Sequence, residues 1–435
     1  MNEKIIDVIL AGGKVKTSTL IFSVFASWMW TTSVIGAVET YSIYGILGPI
    51  TYAVGACLAF LFYVLLISTV QSKIPDGVTF LDLIENAHGE KIKLFFFMFA
   101  FIVPAYVLIE QAVGVASVLN IMFGINFKWT AFLVIVIATI YVAISGMRGL
   151  LKLEKLTAFV IIIAFVFIAG YFVNTDTQVN VVNEINAHDD WFNPGVIAAS
   201  LRYFVMAIVI AFSQLAFDPA YYIKGYMARD DKQFKKAFYI GGILLWGSTS
   251  LAASIYLGIA SYTQNTDVLM LFNGLGAIIF GVAMLFIGFS TISHYLMGWF
   301  GIFTIDLYTD YLRPDADEHK MIVFGRTLMI IGGIFCALIA ISLENISLLT
   351  IDVFCAIFFA APTGPLLFAW LGSKHTENRA SVIATVAGIA FGLAIWIILA
   401  NNNEFSQFLG VVGSFTVSII CSAIGTIIKS KRTAD

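Results

Sequence analysis

Long apolar runs dominate this chain. Stretches of mostly apolar residues recur near 18–42, 46–70, 93–123, 129–146, 154–174, 195–220, 235–262, 272–304, 321–343, 346–371, 380–400 and 405–428. A helix needs roughly 20 such residues to cross a bilayer's hydrocarbon, where only helices and closed barrels satisfy their own backbone. A barrel would show short alternating segments in place of these runs. The pattern therefore predicts an all-α polytopic membrane protein of about twelve crossings. Composition agrees: 60% of the 435 residues are hydrophobic and 12% are charged, against roughly 45–50% and 25% in soluble domains. No basic stretch is long enough to track a phosphate backbone, which argues against nucleic acid as a partner. Cys57, Cys336, Cys355 and Cys421 lie in apolar segments without CxxC spacing and read as free thiols. The first twelve residues are short and mixed and read as no cleavable leader.

Orientation follows from Lys and Arg, which concentrate in cytoplasmic loops. With the N-terminus inside, the inner segments are 1–17, 71–92, 147–153, 221–234, 305–320, 372–379 and 429–435. These and the adjoining helix ends hold 22 of the 24 basic residues, the exceptions being Lys128 and Arg202. The outer loop 175–194 has no Lys or Arg but carries Asp176, Glu184, Asp189 and Asp190. The expectation is a multi-pass inner (plasma) membrane protein with both termini cytoplasmic.

Charge inside a span is costly and marks function. The candidates are Glu39, Glu110, Arg202, His294 and Asp352. Glu39 and Asp352 lie near span ends, where headgroups or water can meet them. Glu110 lies deeper and faces a polar interior. Arg202 pairs with Glu110 or snorkels to the surface, and His294 reads as a hydrogen-bonded interior histidine. The first span carries Ala26-Ser27-Trp28-Met29-Trp30-Thr31-Thr32-Ser33, a polar and aromatic patch at mid-depth, followed by Gly36. The sixth carries Phe212-Ser213-Gln214 and is interrupted by Asp218-Pro219. Polar glue between packed helices explains single Ser or Thr residues. Two matching patches five helices apart suit inverted repeats with broken helices, whose exposed carbonyls and amides hold ions and substrates. The eighth span adds Gly288-Phe289-Ser290-Thr291-Ile292-Ser293. Its adjacent hydroxyls supply hard oxygens for a small cation, or bond back to their own helix.

Several segments in shared order carry a resemblance to a known family. They are Ala11-Gly12-Gly13-Lys14, Gly45-Ile46-Leu47-Gly48-Pro49, Ser145-Gly146-Met147-Arg148-Gly149, and Phe303-Thr304-Ile305-Asp306-Leu307-Tyr308 followed by Arg313-Pro314. The chain resembles the sodium:solute symporter family from Ala11 to Trp396. Trp28-Met29-Trp30-Thr31, Lys73 to Leu81, Gly241 to Trp246, and the Pro365, Trp370, Trp396 spacing look like its urea/polyamine active-transporter subgroup.

The resemblance implies a leucine-transporter-type fold. Five-plus-five inverted repeats would span 18–174 and 195–371, within a core over 18–371. Two additional C-terminal helices would follow over 372–428, with cytoplasmic ends at 1–17 and 429–435. It implies sodium held by the hydroxyls of Ser290 and Thr291 and the carbonyls of Ala26, Met29 and Ile287. Substrate would sit between the first, third, sixth and tenth helices, with Trp30, Thr31, Ser33, Glu110, Gln111, Ser213 and Gln214 as candidates. Three departures stand out. The family's additional leading helix reads as absent, Trp28 replaces an acidic residue of some relatives, and Asp218-Pro219 replaces the subgroup's Asp-Gln.

The implied function is sodium-coupled symport of a small polar solute, urea or a related molecule, by alternating access. The alternative is a proton-coupled carrier with Glu110 or His294 titrating, and a passive channel or facilitator ranks below both. Neither HExxH nor GxSxG occurs, so no hydrolase is indicated. The partners implied are the solute, the coupling ion (Na+, or H+) and the lipid bilayer.

Overall fold

The computed structural model describes residues 4–13, 15–75, 79–174, 189–313, 317–371, 378–399 and 404–432. Lys14, the 76–78 stretch, Asp176, Glu184, Pro314 and the 372–377 loop lie outside the described residues. Every regular element among the described residues is helical.

After a short leading turn, α1 (Ile5–Ile9), come α2 (Thr17–Trp28), α3 (Ile35–Tyr44), α4 (Leu47–Lys73), α5 (Phe80–His88) and α6 (Glu90–Phe123). Next are α7 (Phe127–Asn174), α8 (Pro194–Ala216), α9 (Pro219–Tyr226), α10 (Asp231–Thr263) and α11 (Gly274–Leu312). The last are α12 (Glu318–Ala340), α13 (Leu348–Trp370), α14 (Asn378–Ile398) and α15 (Glu404–Arg432). Ten helices among the described residues are long and apolar enough to cross a membrane.

Two breaks raise that number to the expected twelve. The 48 residues of α7 would run about 72 Å if straight, over twice a ~30 Å hydrocarbon core. Gly146 divides them, with φ 54° and ψ −158°, a backbone conformation open to glycine and strained for other residues. The fourth and fifth crossings are the two halves. The second break joins α2 and α3, each too short alone, into a first crossing unwound over 29–34.

The 147–153 segment read from sequence as an inner loop is therefore helix. The reversal takes one residue, so Glu154 stands two turns into a span. The sixth crossing is interrupted as expected. Its α8 ends at Ala216, and α9 restarts at Pro219, with the Asp218 carboxylate accepting from the Ala220 N–H at 2.8 Å. Proline suits a first helical position because it has no N–H to satisfy.

Helix α11 packs against α6 and α7, α4 against α8, and α13 against α8 and α15. Arg202 pairs with Glu404 at the start of α15, and so neither reaches Glu110 nor merely snorkels. The four cysteines are free. At the end of the bundle where α2 begins, α5 carries a capping box between Thr79 and Asp82. Beside it Lys93, 1% exposed, lies 2.6 Å from Asp310 and 2.8 Å from Glu85.

Candidate functional site

The break in the first crossing is held open by side chains that replace its helical bonds. The Trp30 N–H, which would return to the Ala26 carbonyl in a continuing helix, donates instead to Ser33 Oγ at 3.1 Å. The Thr31 N–H and hydroxyl both donate to Gln111 Oε1 of α6, at 2.8 and 3.1 Å. Ser250 Oγ donates to the Ser33 carbonyl at 3.0 Å, and Trp246 Nε1 to Ser33 Oγ at 3.3 Å. Helix α6 comes this close because residue 114 is glycine. A Cβ there would sit 2.3 Å from Thr31 Oγ1.

The unwound segment forms one wall of a cavity. Trp28, Trp30, Thr32, Ser33, Tyr52, Tyr203, Gln214, Trp246 and Asp352 line it, with Ala56, Ala207, Ile210 and Ala211. Water centres have about 30 Å³ to occupy there. Its polar edge is ordered: Gln214 Nε2 donates to Asp352 Oδ1 at 2.7 Å, and the Tyr106 hydroxyl to the same oxygen at 3.3 Å. Gln214 also bonds the Tyr106 hydroxyl. Trp28 packs on Trp30 and Trp246, with ring centroids 5.5 and 5.8 Å apart.

Three of the seven substrate candidates, Trp30, Ser33 and Gln214, line this cavity. Thr31 and Gln111 bond each other behind its wall. Glu110 accepts from Gln111 Nε2 at 3.3 Å, while its Oε1 is buried with no hydrogen-bond partner among the described residues. Ser213 accepts from Thr363 Oγ1 of α13 at 2.8 Å. Trp28, Tyr52, Tyr203, Trp246 and Asp352 were missed as site residues. Asp352 carried a signal as a carboxylate within a span, and Trp28 as a member of the 26–33 patch.

Beside the break, α11 passes close to α6 at Gly288 and brings its hydroxyls to the unwound segment. Thr291 Oγ1 donates to the Met29 carbonyl at 3.3 Å. Ser290 Oγ is buried and has no hydrogen-bond partner among the described residues. Ile287 lies buried one turn earlier on the same helix. Ala26 is fully buried, and its carbonyl lacks its helical donor. An orphaned hydroxyl, a second hydroxyl and freed carbonyls form a hard-oxygen donor set of the kind small alkali and alkaline-earth cations favour.

A charged network lies deeper, where α2, α7, α9 and α11 meet. Lys224 Nζ sits 2.6 Å from Glu154 Oε1, and His294 Nε2 3.0 Å from Asp218 Oδ2. His294 Nδ1 stands 3.5 Å from Glu154 Oε1. Lys224 also donates to Ser27 Oγ at 2.9 Å, and Ser23 donates to Glu154 Oε2. All four ionisable groups are 0% exposed. His294 was anticipated as an interior hydrogen-bonded histidine. Glu154 and Lys224 were not, because both fell in or beside segments assigned to inner loops.

Broken first and sixth crossings around a buried cavity define the class. This is a leucine-transporter-type membrane fold, a five-plus-five inverted-repeat core followed by two further helices. A substrate-bound, outward-open Na+-coupled sialic acid symporter has the same fold. It is 16% identical, with a TM-score of 0.76 over 98% of this chain and 92% of that one.

Within that class the chain resembles the sodium:solute symporter family, whose model matches residues 8–213. It is 22% identical to the urea active transporter of Saccharomyces cerevisiae, over 90% of this chain and 58% of that one. To the urea-proton symporter DUR3 of Oryza sativa subsp. japonica it is also 22% identical, over 90% of this chain and 60% of that one. The chain spans about three fifths of the length of these curated relatives. They are membrane transporters, not enzymes.

Proposed function

We propose that the protein is a secondary active transporter, a cation-coupled symporter of a small polar solute. The observation that carries this is the unwound 29–34 segment. One side of it faces the cavity, and on the other the Met29 carbonyl meets Thr291. An ion at the second position would stabilise the backbone that shapes the first. Coupling needs such a differential affinity between states.

Cavity size supports a very small solute. The ≈ 30 Å³ open to water centres here is small and suits a solute of few heavy atoms. The flat indole walls and the carboxylate edge of Asp352 suit a planar molecule bearing N–H donors. The names of the relatives make urea the first candidate.

Sodium is the first candidate ion, held by the hydroxyls of Ser290 and Thr291 and the carbonyls of Ala26, Met29 and Ile287. Trp30, Ser33 and Gln214 contact solute in this reading, while Thr31, Glu110, Gln111 and Ser213 shape the site from behind. The inverted repeats are 18–174 and 195–371, and the positive-inside partition supports cytoplasmic termini. Thr291→Ala tests the ion site. The expected result is an approximately tenfold rise in half-saturating sodium for urea uptake, equivalent to losing about 1.4 kcal/mol. Unchanged sodium dependence would remove the assignment.

Proton coupling is a second reading. It is favoured by the buried network of Glu154, Lys224, His294 and Asp218, and by a relative named as a urea-proton symporter.

A further inference from the structure

Three indoles reach the cavity wall, those of Trp28, Trp30 and Trp246. Two of them have spent their N–H inside the protein. Trp30 Nε1 donates to the Ser27 carbonyl at 3.0 Å, and Trp246 Nε1 to Ser33 Oγ at 3.3 Å. Trp28 Nε1 is buried and has no hydrogen-bond partner among the described residues. The large majority of buried side-chain polar atoms do find a partner, so this exception calls for one.

No turn of the side chain can supply it. Trp28 is the last residue of α2 and is 4% exposed. Its ring is wedged among four others, with centroids 5.5 Å away at Trp30 and Phe60, 5.8 Å at Trp246 and 6.1 Å at Tyr221. The other orphan on the cavity wall among the described residues, the Thr32 hydroxyl, can rotate toward Glu110 beside it. An indole N–H has one direction, fixed by its ring.

An indole donates and never accepts. Whatever satisfies Trp28 from the cavity must therefore bring an acceptor. Asp352, on the same wall, needs the reverse. Gln214 and Tyr106 both bond its Oδ1, and a carboxylate accepts further bonds on its second oxygen. A neutral molecule with a carbonyl and N–H groups meets both needs. Guanidinium, planar and of urea's size, meets only the second. A solute bearing a carboxylate meets the first but sets another anion near Asp352.

We propose that Trp28 selects the solute: its indole N–H donates to the carbonyl oxygen of the molecule in the cavity, so urea-like carbonyl compounds are accepted in preference to guanidinium. A molecule without that oxygen leaves a buried donor unmet. This is how a hydrogen-bonding site rejects an isostere that lacks the matching atom. The proposal rests on the cavity being the solute site. It needs neither the sodium position beside Met29 nor a particular coupling ion.

Two measurements test it. The first compares the inhibition constants of unlabelled urea and guanidinium chloride against labelled-urea uptake, in the wild type and in Trp28→Phe. Phenylalanine keeps an aromatic ring and removes the donor. Lost packing weakens both compounds and cancels in their ratio, whereas a lost carbonyl contact weakens urea alone. The expected result is an about tenfold fall in the preference for urea over guanidinium. An unchanged preference overturns the proposal and leaves the symport reading intact.

The second measurement needs no uptake: the proton–nitrogen correlation spectrum of the protein in nanodiscs, with isotope-labelled tryptophans. The indole signal missing from Trp28→Phe, or from Trp28→Tyr where the first variant fails to fold, belongs to Trp28. Urea is expected to move it downfield saturably, as for a newly bonded N–H. A signal that saturating urea leaves in place, in protein that takes up urea, overturns the proposal. If the protein neither takes up nor binds urea, acetamide is the next probe. A saturable downfield shift with acetamide retires urea as the solute and supports the role of the indole, and no shift overturns it.

Discussion

Gly114→Ala is the sharpest single test of how the cavity wall is built. The added Cβ would lie 2.3 Å from Thr31 Oγ1 and 2.7 Å from Thr31 Cβ. Contacts that short force a shift, and Thr31 has little freedom to make one. Its N–H and hydroxyl are both bonded to Gln111. Overpacking of this kind costs about 1–3 kcal/mol, and each lost hydrogen bond adds roughly 0.5–1.5 kcal/mol.

The segment that must yield also lines the cavity through Trp30 and Ser33. We therefore expect a loss of about 2–4 kcal/mol, divided between thermal stability and solute affinity. The assay is a double-mutant cycle with Thr31→Gly, which removes every atom in the clash. Denaturation midpoints and the KM for labelled urea would be read together. Residues in contact couple by about 0.5–3 kcal/mol, so Thr31→Gly should relieve most of the Gly114→Ala defect. Additive effects, or a Gly114→Ala protein with wild-type stability and KM, would show that α6 does not press on the unwound segment.

Other outcomes follow from particular groups. Asp352→Asn keeps the shape of the cavity edge but removes the charge that Gln214 and Tyr106 point toward. Hydrogen bonds to charged groups contribute about 1.5–3 kcal/mol, so KM for the solute should rise at least about tenfold, as uptake kinetics would show. His88 ends α5, outside the spans. Burial, and then the Lys429 charge, pushes its imidazole down from 6.5 to about 4. The unfolded chain takes this proton below about pH 6.5 and the folded chain does not until about pH 4. Stability should thus fall by roughly 3 kcal/mol as pH drops through that window. In melting curves recorded across it, His88→Gln should flatten the trend.

Much of the architecture was legible in the sequence, because lipid imposes a length rule on every span. Asp218-Pro219 announced the sixth break, since proline cannot continue the hydrogen-bond ladder. The 26–33 patch announced the first, since a lipid-facing helix gains nothing from Thr31, Thr32 and Ser33 together. Side-chain direction was far less readable. Tyr52, Tyr203 and Trp246 sit in largely apolar stretches of α4, α8 and α10, where no periodic signal separates cavity wall from lipid face. Gln111 looked like a substrate residue because its polarity is visible, while its commitment to Thr31 is a matter of tertiary contact. Glu154 and Lys224 were hidden by the charge partition itself. Lys224 was counted among loop cations, and only the one-residue turn at Gly146 brings Glu154 into the bundle to meet it.

The most direct test of coupled transport is labelled-urea uptake into proteoliposomes holding the purified protein, with and without inward sodium or proton gradients. Accumulation above the external concentration, lost when the driving gradient is collapsed, is the predicted result. Uptake that only equilibrates whatever the gradient, or no uptake at all, would contradict urea symport.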